Sequence, residues 1–246
     1  MHRFIQAIRN GYRRVRRFLR RRRYQHLRAI IFDMDGVLRD SIFEIWMATR
    51  ETLEHFGVPR EKLPTYIEFC AYYEEPYERY YAQYGVVVDS KELLRVYLSY
   101  WHARRHAPKF FDEIEEVLRE LRALGLKIAI VSMSNPDHVI ALLRDRGLEE
   151  YFDVVVGGRH QKNEAMLDVC QILKVEPEEA AYVGDLRSDM AFADIAGLWR
   201  WARHYPGHDL PPDACLHRCE VDARITGTLH EIIHLAAARV QQQQAA

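Results

Sequence analysis

The chain predicts an α/β fold: a doubly wound parallel sheet, interrupted by an all-helical insertion and preceded by a basic arm. Three observations predict it. Short apolar runs at residues 27–32, 126–131, 152–156 and 180–183 have the length and composition of buried parallel strands. From Phe111 onward these runs alternate with helical patterns, as in a sheet built from βαβ units. Between the first and second runs, helical patterns follow one another with no strand among them.

Residues 1–26 form the arm. Phe4, Ile8, Tyr12, Val15 and Leu19 recur at three- and four-residue spacing, which predicts an amphipathic helix that Gly11 weakens modestly. Residues 1–28 hold eleven arginines and no acid. Taking these from the 35 lysines and arginines leaves 24 basic against 36 acidic side chains in the body, so a net charge of −1 hides a basic arm on an acidic body. Such an arm is expected to seek an anionic membrane surface or nucleic acid.

The α/β core is expected at residues 27–40 and 111–240, and the helical insertion at 41–110. The insertion opens with a helix over 41–56, whose Ile42, Ile45, Trp46, Thr49 and Leu53 share a face and which Gly57-Val58-Pro59 stops. Further helices are predicted over 60–73, 76–84 and 90–104. In the core, helices over 113–124, 136–146 and 187–196 each end at a glycine (Gly125, Gly147, Gly197), where a left-handed cap costs least. A helix over 164–173, a strand over 198–202 and a closing helix over 226–238 complete the reading.

With 246 residues there is room for one ordinary core and a small insertion. The longest uninterrupted apolar runs, such as residues 139–143, are far too short to cross a bilayer. The four cysteines show no disulfide framework and no secretory signal is visible, so a reducing cytoplasm is the expected setting.

The chemistry concentrates where the apolar runs end. The first run leads into Asp33-Met34-Asp35-Gly36-Val37-Leu38, with two carboxylates two residues apart and a glycine for a tight turn. Buried paired carboxylates are costly unless they share a cation or a proton. A second acidic cluster, Gly184-Asp185-Leu186-Arg187-Ser188-Asp189, follows the run at 180–183; Ser132 follows 126–131 and Lys162 follows 152–156. Ligands of open parallel sheets bind outside the carboxyl ends of the strands, so these groups can converge on one site.

This ordered set resembles the haloacid dehalogenase-like superfamily, whose members are mostly phosphatases on a Rossmann-like core: Asp-x-Asp-Gly-(Val/Thr)-Leu, then Ser or Thr, then Lys, then Gly-Asp-x-x-x-Asp. The resemblance covers about residues 28–235. It implies a Mg²⁺-dependent phosphatase acting on a small phosphorylated metabolite. Asp33 is then the nucleophile that forms an aspartyl-phosphate, and Asp35 the general acid and then the base for water. Metal ligands would come from the Asp33 side chain, the Asp35 backbone carbonyl and Asp185, with Asp189 acting through water or holding Lys162. Ser132 and Lys162 would bind the phosphoryl group. The chain departs from the pattern at Lys162-Asn163-Glu164, where a proline often follows the lysine, and at Arg39, where an apolar residue is usual. Asp35 argues against the dehalogenase and phosphonatase branches, which lack that carboxylate. A phosphosugar mutase is the nearest alternative; a non-catalytic binding protein tethered by the arm is another.

The insertion is rich in aromatics (Tyr66, Tyr72, Tyr73, Tyr77, Tyr80, Tyr81, Tyr84, Tyr97, Tyr100, Trp101), for which packing within a helical bundle is the expected role. Cys215-x-His217-x-Cys219, with His204 and His208 upstream, fits no standard structural zinc spacing; a late strand carrying half-buried cysteines is expected there.

Overall fold

The computed structural model describes residues 26–241 except 75, 160 and 205–209. The arm therefore lies outside the described residues, save His26. Strand β1 (Ala29–Phe32) is the centre of the molecule, and all four of its side chains are buried. It pairs in parallel with β4 (Lys127–Val131) on one side and β6 (Ala180–Gly184) on the other. With β5 (Val154–Val156), β7 (Trp199–Arg203) and β8 (Ala223–Ile225) the order is β5-β4-β1-β6-β7-β8, every pairing parallel. The strand β8 was not foreseen: three residues with Arg224 in the middle carry too little apolar pattern to read alone. The chain winds outward from β1 to β5, then returns to β6 and winds the other way. The reversal lies between β1 and β6, which is where such sheets bind ligands.

Alternate strand residues feed two cores. Ile30, Phe32, Ile128, Ile130 and Val183 pack against α5 (Ile114–Ala123), α6 (Pro136–Arg146) and α9 (His230–Gln241). Ala29, Ile31, Val131 and Tyr182 pack against α7 (Lys162–Leu173) and α8 (Arg187–Ala196). The near-continuous apolar character of β1, β4 and β6 follows from this burial on both faces.

Four helices lie in the chain between two short strands, β2 (Arg39–Asp40) and β3 (Lys109–Phe110), which pair antiparallel as Arg39↔Phe110 and Asp40↔Lys109. These helices are α1 (Ile42–His55), α2 (Tyr66–Tyr72), α3 (Tyr77–Ala82) and α4 (Ser90–Arg104). The single helix expected over 60–73 is instead a short 3₁₀ turn, Arg60–Lys62, followed by α2. Pro64 is the reason: it drives Leu63 into extended backbone, and Thr65 then opens a new helix with a capping box to Glu68. The helices share their own apolar clusters, one built on Leu53, Val58, Leu63, Tyr81 and Leu93, the other on Ile42, Phe69 and Tyr80. No helix among the described residues is long and apolar enough to cross a membrane.

The cysteine-rich segment departs from expectation. Cys215–Arg218 is a 3₁₀ turn, not a strand, although Cys215 and Cys219 are half-buried as anticipated. Its polar atoms are engaged locally: the Cys219 thiol donates to the Leu216 carbonyl (3.0 Å), His217 Nδ1 lies 3.1 Å from the Pro211 carbonyl, and Arg224 lies 3.0 Å from His204 Nε2. Burial raises both thiols above their ordinary range. His208 lies outside the described residues.

Candidate active site

The ladder between β1 and β6 ends at Phe32↔Val183, and the Asp33 amide extends it by donating to the Val183 carbonyl (2.9 Å). Asp33 is thereby placed at the strand end, buried, with its Oδ1 accepting from the Met34 amide (2.8 Å). The chain then bends. Gly36 has φ +76°, and a Cβ there would lie 2.3 Å from Asp185 Oδ2. Only glycine combines that left-handed backbone with so close an approach of the two acidic loops.

Across the crevice, Gly184 ends β6; a Cβ on it would lie 2.5 Å from the Asp189 Cβ. Asp189 lies in the first turn of α8, where its Oδ2 accepts from the Leu186 amide (3.1 Å). Lys162 is the first residue of α7, which begins two residues before the expected start, and its side chain is 2 % exposed. Its Nζ lies 2.7 Å from Asp33 Oδ2 and 2.8 Å from Asp189 Oδ1, so one ammonium bridges two carboxylates.

Asp33, Asp185 and Asp189 each offer a carboxylate oxygen within 4.8 Å of the others. Burial, with Asp189 adding repulsion, pushes the Asp33 carboxyl up to about 7 against the opposing pull of Lys162. Burial and the neighbouring Asp189 and Asp33 hold Asp185 well above the carboxylate range. Three carboxylates face one ammonium, a deficit of two positive charges in a set of hard oxygen donors. That arrangement fits a divalent cation of the Mg²⁺ or Ca²⁺ kind and does not fit a soft metal.

Asp35 does not join the cluster with its carboxylate. The strand ends too early for the expected shared face, and after the bend Asp35 accepts from Ser134 Oγ (2.9 Å) and Arg39 Nη1 (3.4 Å). Arg39 is 1 % exposed, and its Nη2 also donates to the carbonyls of Arg105 (2.9 Å) and Pro108 (3.4 Å). The departure noted at position 39 thus ties Asp35 to the chain that leaves α4. Ser132 follows β4, is buried, and accepts from the Ser134 amide through its Oγ (3.1 Å). Sequence reasoning did not find Ser134; its place two residues after Ser132 was the available signal.

Asp33, Asp35, Ser132, Lys162 and Asp185 all line one cavity of about 550 Å³, roofed by helices of the insertion. The roof corrects the expectation for the tyrosines. Tyr80 and Tyr81 are buried in helix packing as expected, but Tyr73, Tyr77, Tyr81 and Tyr97, with Phe69 and Trp101, also line this cavity.

Comparison with known proteins identifies the family. Residues 30–202 match the haloacid dehalogenase-like hydrolase family. A phosphoglycolate phosphatase from Chromobacterium violaceum is 29% identical over 185 residues, covering 70% of this chain and 83% of its own. Tyrosine-protein kinase PtkA from Mycobacterium tuberculosis is 29% identical over 177 residues, 69% of this chain and 59% of its own. A haloacid dehalogenase family hydrolase from Deinococcus radiodurans, solved with bound phosphate and sodium, superposes with a TM-score of 0.64 at 26% identity, covering 87% of this chain and 97% of that one. The chain belongs to the haloacid dehalogenase-like hydrolase family and stands with its phosphatases, the phosphoric monoester hydrolases.

Proposed function

We propose that the chain hydrolyses a small phosphate monoester through an aspartyl-phosphate on Asp33, with Mg²⁺ as cofactor. The observation that carries this reading is the position of Asp33: buried at the end of β1, 2.7 Å from Lys162 and beside Asp185 and Asp189.

A carboxylate oxygen of Asp33 attacks phosphorus, and the ester oxygen leaves. Asp35, held by Ser134 and Arg39 at the same cavity, gives that oxygen its proton. Water then attacks the acyl-phosphate while Asp35 takes its proton, releasing inorganic phosphate and restoring both carboxyl groups. Lys162 and Ser132 offset and bind the charge on the phosphoryl oxygens. Asp189 acts through Lys162, holding the amine in place. Asp33, Asp185 and the Asp35 backbone carbonyl would hold Mg²⁺, with Asp189 behind, and the ion would supply the charge neutralisation that lets two anions approach. Residues 41–110 act as a cap over a core formed by 27–40 and 111–240. The basic arm at residues 1–26 is a tether to an anionic surface, and four free thiols suit a reducing cytoplasm.

The test is phosphate release from p-nitrophenyl phosphate with and without Mg²⁺, together with borohydride reduction of the phosphorylated enzyme. Homoserine at position 33 is the expected product; its absence at steady turnover removes the covalent step. Release of inorganic phosphate, and not of an isomeric ester, separates hydrolysis from phosphosugar mutation.

A further inference from the structure

Helix α4 carries two apolar faces. Leu93 and Val96 are buried, Leu93 in the cluster with Leu53, Val58 and Tyr81. Leu94, Tyr97, Leu98 and Trp101 recur at three- and four-residue spacing on a different side, and all four line the cavity above Asp33 and Asp35. A helix with one face in its own bundle has no packing need for a second. The rings on that second face are also unengaged: Tyr97 and Trp101 have neither a side-chain hydrogen bond nor a ring contact among the described residues. Two other tyrosines of the roof differ. Tyr73 lies tilted against Phe69 at 4.6 Å, and Tyr81 meets the ring of Tyr80 edge-on at 6.3 Å. Tyr97 and Asp35 line the same cavity, so that ring shares the space of the group assigned to protonate the leaving oxygen.

The volume points the same way. About 550 Å³ is within the range of pockets that enclose drug-sized ligands, and a two-carbon hydroxy-acid ester would leave most of it to water. The apolar face of α4 opposes Ile42, Ile45 and Phe69, with the carboxylates and Lys162 as the polar end. A ligand that suits such a space is charged at one end and ring-bearing at the other.

We propose that the substrate is a phosphate monoester of an aryl-bearing alcohol, with the phosphoryl group at Asp33 and Lys162 and the ring against Tyr97 and Trp101. This rests on the phosphatase reading above and narrows its substrate class.

Leaving-group chemistry must be held constant in the test, so alkyl esters of similar basicity are compared. Wild-type enzyme with Mg²⁺ is assayed on 2-phenylethyl phosphate, ethyl phosphate and phosphoglycolate. The expected kcat/KM is at least about tenfold higher for the phenylethyl ester than for either small ester, the return for burying one ring. Equal or reversed values overturn the proposal while leaving the phosphatase reading intact. No phosphate release from any ester, p-nitrophenyl phosphate included, fails the phosphatase reading instead. Binding then still decides the proposal: 3-phenylpropylphosphonate is expected to bind at least about tenfold more tightly than propylphosphonate by calorimetry, and equal affinities overturn it. In Trp101→Ala and Tyr97→Ala the ratio between ring-bearing and small phosphonates is expected to fall severalfold. An unchanged ratio in folded variants removes those rings from the site.

Discussion

Lys162 and Asp33 meet across the crevice at 2.7 Å, and both side chains are almost wholly buried. The pair is one arm of a bridge, since the same ammonium reaches Asp189 at 2.8 Å. In Lys162→Met the acids at 33 and 189 lose the ammonium that bridges them. Breaking a buried pair from one side costs about 3–5 kcal/mol, because a buried charge is left uncompensated. The expected outcome is a loss of at least about 100-fold in kcat/KM with a lower melting temperature. Wild-type activity in Lys162→Met contradicts the role.

Asp33→Asn is expected to abolish turnover while the fold persists. An amide keeps the shape and can still accept from Lys162, but it cannot form the acyl-phosphate. Activity should fall by more than about 1,000-fold, with a melting temperature within a few degrees of wild type. Residual activity above about a tenth removes Asp33 from the nucleophile's place.

The pH dependence of metal binding follows from the raised acids. In the metal-free protein the Asp33 carboxyl sits at about 7, against 3.8 as its ordinary value. Between those two pH values the folded state keeps a proton that the unfolded chain has released. Stability from this group is therefore greatest at acid pH and is lost as pH rises towards about 7. Asp185 is shifted in the same direction. A divalent cation takes the proton's place, so added Mg²⁺ should raise the melting temperature more at pH 8 than at pH 5.5. Equal increments at the two pH values argue against a cation in this cluster.

Arg39→Met removes the side chain that joins Asp35 to the carbonyls of Arg105 and Pro108. Both carbonyls and one carboxylate oxygen lose a charged donor, at an expected cost of about 2–4 kcal/mol. Turnover should fall most for esters with basic leaving alcohols, where the proton from Asp35 matters most. A uniform loss across alcohols of widely different acidity indicates a structural role alone.

The sheet, the order of its helices and four of the polar groups were legible in the sequence because each depends on short-range pattern. The apolar runs that became β1, β4, β5 and β6 end in residues whose chemistry has little use elsewhere. Helices α6 and α8 end where their glycines predict, at Gly147 and Gly197, both left-handed. What could not be read depends on pairing across long separations. The β2–β3 hairpin joins Arg39 to Phe110, two residues per strand, with no local signature. The turning of Asp35 away from Asp33 requires Ser134, which is 99 residues distant. The second face of α4 has the same spacing as a packing face, and only the tertiary fold shows that it meets a cavity.

The ladder between β1 and β6 has one further consequence. Phe32 pairs with Val183, so Asp33 leaves the ladder level with Gly184, one residue before Asp185, and the offset between the two acidic loops is set by it. A slip of one residue would move one loop by about 3.3 Å and turn every side chain of the strand over. The spacing of the carboxylates is therefore gauged by main-chain bonds inside the driest part of the molecule, the last of them made by the amide of Asp33 itself. Errors in that gauge have their origin in the core: overpacking at Ile30 or Ile31, neither of which can touch a substrate, would be read out first as a misplaced Asp33.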